Sequence, residues 1–135
     1  MLLSDESRIL AGILLLSLVT VETGGIYLLS IVRGRVGVTP FQEKFARAGH
    51  AHAGVLLIAA LLCQLYADAT DQTGILDWLA RTGVAAAALV MPAGFFLSSL
   101  GAGRTEPNRL VLLIPLGATL LAAGLLSLGL GLLLA

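Results

Sequence analysis

Few residues of this chain have chemistry foreign to the apolar runs that hold them. His50 and His52, its only histidines, stand in "FARAGHAHAGVLL" (45–57), and Glu22 stands in "TVETGGIY" (20–27). An ionisable group placed in hydrocarbon costs at least about 2.5 kcal/mol, which makes each of the three a functional candidate. A carboxylate buried without a partner stays neutral by keeping its proton. Imidazole can accept or share that proton, and the two groups together can ligate a transition metal. Glu22 with one histidine is therefore a candidate site for a proton, a metal ion or a haem.

Geometry narrows the options. Residues two apart on a helix point about 200° away from each other, so at most one of His50 and His52 faces Glu22. At about 1.5 Å per residue, the expected spans put Glu22 some two turns deeper than His52. A metal site would draw on Glu22, His50 and His52, with Cys63, Met1 and Met91 as the remaining soft donors, and no zinc-finger or His-Glu-x-x-His spacing is present. A b-type haem needs axial ligands on opposing helices, namely His50 or His52 with Met91, or histidines of two subunits. The plainer alternative has one histidine bonded to a neighbouring helix and the other at the headgroups. Cys63 reads as a small buried hydrophobe, and no activated nucleophile is visible.

These groups need a membrane around them. Of 135 residues, 58% are hydrophobic and 12% charged, more apolar surface than a soluble domain can hide. Hydrocarbon about 30 Å thick needs roughly 20 helical residues, and four stretches supply them, at about 9–32, 48–67, 82–100 and 110–134. Backbone in lipid must satisfy itself, so the expected fold is all-α, an integral membrane four-helix up-and-down bundle forming a single domain over residues 1–135. "MLLSDESR" carries Asp5 and Glu6 where a secretory signal wants positive charge, so the first helix is expected to be retained.

Charge sets the expected orientation. Eight cations balance eight acids, which leaves no global field for nucleic acid. Six of the eight cations, Arg33, Arg35, Lys44, Arg47, Arg104 and Arg109, fall at the ends facing the first and third linkers. Arg8 and Arg81 share the other side with Asp5, Glu6, Asp68, Asp71 and Asp77. The positive-inside rule then places both termini outside the cytoplasm of a multi-pass cell-membrane protein, with Trp78 and Tyr66 near the outer boundary.

Local signals refine the helices. Thr39, Pro40 and Gln42 form a capping box with proline in the first turn, so helix 2 is expected to begin near Pro40, with Glu43 and Arg47 one turn apart. His50 and His52 would then lie just inside the cytoplasmic boundary. Pro92 and Pro115 predict kinks in helices 3 and 4. Thr119, Ala123, Ser127 and Gly131 form a small-residue stripe on helix 4, suited to packing within the chain or against a homo-oligomeric or membrane-complex partner. Arg47, Arg104, Glu106, Asn108 and Arg109 can gather at the start of helix 2 as positive-inside anchors or as a headgroup site. The three aspartates of "DATDQTGILD" read as solvated, since calcium-loop spacing is missing.

The runs "FARAGHAHAGVLL", "VMPAGFFLSSLGAG" and "PNRL" resemble small, uncharacterised four-span membrane proteins of actinobacteria, a likeness that covers most of the chain and implies a fold without an activity. "GHAHAGVLLIAALLCQLY" is locally similar to the Gly-His-x-His entry of a spanning helix in relatives of the haem-copper oxidase main subunit. That similarity implies haem ligation at His50 or His52, although helices 3 and 4 lack further histidines. Three functions follow as expectations: an intramembrane Glu/His site, a non-catalytic interaction or scaffold subunit, and a small transporter drawing on Pro92, Pro115 and Glu22. An alkaline phosphatase fusion in the first linker should be inactive in a bacterial host, and periplasmic activity there would reverse the orientation.

Overall fold

A computed structural model describes residues 3–135. It contains four long helices, α1 (Asp5–Val32), α2 (Pro40–Ala67), α3 (Gly74–Ser98) and α4 (Leu113–Leu134), with a 3-10 turn at Arg109–Leu112 leading into α4. No strand occurs among the described residues. All four helices are long and apolar enough to cross a membrane, α4 counted with its 3-10 turn. Three begin earlier than hydropathy alone gives: α1 starts at Asp5 rather than 9, and, by a wider margin, α2 starts at Pro40 rather than 48 and α3 at Gly74 rather than 82. The first turns of α2 and α3 carry charges paired one turn apart, Glu43 to Arg47 at 2.6 Å and Asp77 to Arg81 at 2.8 Å, so polar sequence there is still helical.

The termini are built as side-chain chemistry dictates. The Ser4 hydroxyl accepts from the Ser7 N–H at 3.2 Å to start α1. At α2 the Thr39 hydroxyl accepts from the Gln42 N–H, and the Gln42 side chain accepts from the Thr39 N–H. α1 stops in a Schellman turn, in which Arg35 N–H reaches the Ser30 carbonyl and Gly34, at φ +68°, supplies the left-handed residue. Pro115 is not the mid-span kink expected from sequence: the 3-10 turn ends at Leu112, so this proline falls in the first turn of α4, where proline is tolerated. α3 runs without a break through the buried Pro92.

α3 is the central helix, with 44% of its most apolar stretch buried, whereas α1, at 6%, is a flank packed chiefly on α2. α4 lies against α3 on the other side. Helices in lipid gain nothing hydrophobic by meeting, so contact depends on how closely backbones approach. A Cβ built on Gly83 would lie 2.7 Å from the Gly124 Cα, and one on Gly117 would lie 2.8 Å from the Met91 backbone nitrogen. Half of the stripe on helix 4 is used inside the chain: the Ser127 hydroxyl donates to the Leu76 carbonyl at 2.7 Å, and Gly131 receives the Gln72 side chain. Thr119, by contrast, is exposed and Ala123 half-buried.

Because the α3–α4 seam meets backbone rather than flexible side chain, Gly83→Ala and Gly124→Ala should each destabilise the fold by roughly 1–3 kcal/mol. Gly12, with nothing within 4 Å of a built Cβ, is the control. Thermal unfolding in detergent should show both seam variants melting below Gly12→Ala.

Candidate functional site

Glu22 and His50 meet across α1 and α2. Glu22 stands ten residues before the end of α1 and His50 ten residues after the start of α2, on antiparallel helices joined at that end, so each lies about 15 Å along its helix. Counted from the helix ends that the first linker joins, the depth difference expected from sequence disappears, since Glu22 and His50 lie level. Gly24 and Gly25 provide the contact surface. A Cβ at Gly24 would come within 3.0 Å of the His50 Nδ1, and one at Gly25 within 3.6 Å of its Cε1, so the imidazole rests on bare backbone. Glu22, Gly25 and His50 line one cleft of about 310 Å³, walled by Val21, Ile26 and Leu29. Glu22 is exposed and His50 half-buried, and no direct hydrogen bond joins them. The volume leaves room for bridging water.

His52 faces elsewhere. Its ring packs at 5.0 Å from that of Phe95 on α3, and its Nδ1 lies 2.7 Å from the Ala48 carbonyl of its own helix. The two histidines thus diverge as their spacing requires, and His50 is the one beside Glu22. Met91 is buried with its backbone and Cβ against Gly117 in the α3–α4 seam. Expectations of a metal or haem fare poorly by fit. Among the described residues no group of three or more His, Cys, Asp or Glu side chains can hold a metal ion, which leaves Glu22 and His50 as an isolated pair. A haem held by His50 or His52 with Met91 has no fitting chamber, since the groove at His52 is about 180 Å³ and Met91 faces the seam. Met1 lies outside the described residues. Cys63 is buried and free.

The strongest polar cluster is one that sequence reasoning treated as solvated. Arg81 of α3 donates from Nη1 to Asp68 at 2.6 Å and to the Ser7 hydroxyl, and from Nε to Asp77 at 2.8 Å. Asp68, at the end of α2, also accepts from the Ser4 N–H at 2.8 Å, the Ser4 hydroxyl at 2.9 Å and the Ser7 hydroxyl at 3.0 Å. The cluster continues along α2: Ser7 donates to the Gln64 carbonyl at 3.1 Å, and the buried Gln64 side chain donates to the Arg81 carbonyl at 2.8 Å. Burial pushes the Asp68 carboxyl up, but the hydrogen bonds from Arg81, Ser4 and Ser7 outweigh it and hold the group down at about 2. The one sequence signal was Asp77 four residues before Arg81; the partners from α1 and α2 are non-local.

At the opposite end, Arg104 meets the start of α2 through its main chain, its carbonyl accepting from the Thr39 hydroxyl, while the cationic side chains make other contacts. Arg47 pairs with Glu43, Arg104 donates to the Leu100 carbonyl, and the Asn108 side chain caps the 3-10 turn. Gln42 adds to that tie, donating to the Ser99 carbonyl at 2.9 Å and the Gly101 carbonyl at 2.7 Å. No protein-family model, curated protein or solved structure matches this chain.

Asp68 has an ordinary pKa of 3.8 that folding depresses, so its ionised form stabilises the fold above pH 4 and that contribution disappears as pH falls towards 2. Asp68→Asn should lower stability at neutral pH by on the order of 2 kcal/mol. In melting curves taken across pH, the gap between variant and wild type should close between about pH 4 and pH 2.

Proposed function

We propose that this chain is a multi-pass cell-membrane protein in which Glu22 and His50 hold a proton between α1 and α2 and pass it from one to the other. One observation carries the reading: a carboxyl and an imidazole from two different helices line the same cleft at the same depth. In hydrocarbon a lone carboxylate is costly, and a neighbouring imidazole offers two low-cost arrangements, neutral acid with neutral base or carboxylate with imidazolium. One further proton gives the neutral acid beside an imidazolium, and loss of a proton from either group restores the starting pair. A proton needs no third ligand, whereas a metal does. The orientation that accompanies this reading puts both termini outside the cytoplasm, from the six cations at the other helix ends.

A second reading rests on α1. It is the least buried helix, and Glu22 is exposed on it, so the chain would serve as an interaction subunit whose first helix docks another span through that carboxyl. The two readings separate in reconstituted liposomes loaded with a pH-sensitive dye. Wild type should dissipate an imposed pH gradient, and Glu22→Gln and His50→Ala should each slow this at least about tenfold. His52→Ala, which removes only the ring beside Phe95, should leave the rate near wild type. Equal rates in empty and loaded liposomes, or in all variants, would overturn the proton reading and leave the interaction subunit.

A further inference from the structure

At the Arg81 end, α1 and α3 leave a cleft of about 500 Å³ between them, lined by Glu6 and Ile9 on one side and Asp77, Trp78 and Arg81 on the other. A groove of about 220 Å³ continues from it between the same helices, lined by Ile13, Leu14, Ala85 and Leu89, with Leu57 of α2. Leu10 and Thr82 border both, so a polar mouth at the helix ends opens into an apolar track. This shape suits an amphiphile with its head at the interface and one chain along the track.

The charges specify the head. Arg81 commits Nε to Asp77 and Nη1 to Asp68 and Ser7, which leaves Nη2 without a partner among the described residues. Two carboxylates face that one guanidinium, and Glu6 adds a third, so the mouth is acidic on balance and disfavours an anionic head. Trp78, 58% exposed, lines the same cleft, and an indole there suits a cation. A zwitterion answers both features: its ammonium can donate to Glu6 and Asp77 beside Trp78, while its phosphate takes Nη2 of Arg81.

We propose that this groove binds a phosphatidylethanolamine molecule, its ethanolamine at Glu6, Asp77 and Trp78 and an acyl chain between α1 and α3. The site is separate from the Glu22–His50 cleft and stands or falls without it. Protein in dodecyl maltoside, supplied with phosphatidylethanolamine, phosphatidylcholine or phosphatidylglycerol, gives the test by melting midpoint and by lipid retained in native mass spectrometry. Saturating phosphatidylethanolamine should raise the midpoint by about 5 °C, with smaller shifts from the other two lipids. Glu6→Gln and Trp78→Leu, both at exposed positions, should keep the lipid-free midpoint and lower phosphatidylethanolamine affinity about fivefold each. Equal shifts from all three lipids, a larger one from phosphatidylglycerol, or unchanged retention by Glu6→Gln would overturn the proposal.

Discussion

The ion pair between Arg81 and Asp68 is the contact that three helices share. Arg81 belongs to α3, Asp68 closes α2, and Ser4 and Ser7 open α1, so one guanidinium and one carboxylate fix three helix ends together. Side-chain exposures of 15% and 13% remove the pair from most competing water, where such contacts are strong and where either partner alone would be costly. The position of α1 depends on this together with its packing on α2. With so small a share of that helix buried, its placement rests on the polar cluster at one end, on Leu14, Leu18 and Val21 against the core, and on the His50 contact with Gly24 and Gly25 farther along.

The remaining helices are joined by a different device. Gly83 with Gly124 and Gly117 with Met91 bring the α3 and α4 backbones close enough that dispersion replaces the missing hydrophobic drive. Small residues also explain the candidate site, since a Cβ at Gly24 would press within 3.0 Å of the His50 Nδ1 and Gly25 leaves the ring in ordinary contact with α1. Close approach thus serves two ends: it holds α3 to α4, and it leaves Glu22 and His50 facing one cleft instead of separated by packing.

Much of this could be read in the sequence because it is local. Hydropathy gave four helices, Thr39 to Gln42 gave the start of α2, and the two-residue spacing of the histidines required them to diverge. Identifying His50 as the residue beside Glu22 needed the rotation of α2 against α1, which no periodicity encodes in helices this uniformly apolar. The Arg81 cluster escaped for a related reason: Asp68, Ser4 and Ser7 are far from Arg81 in the chain, and an acidic loop looks solvated until its partner is placed. Pro115 misled because hydropathy continues smoothly across the 3-10 turn that precedes α4.

His50 of α2 rests on Gly24 and Gly25 of α1, one turn from Glu22, while His52 turns to Phe95. Nuclear Overhauser spectroscopy of the chain in deuterated detergent micelles tests this directly. His50 ring protons should show cross-peaks to the α protons of Gly24 and Gly25, and His52 ring protons to the Phe95 ring. Cross-peaks from His52 to the two glycines, or none from His50, would contradict the assembled Glu22–His50 site.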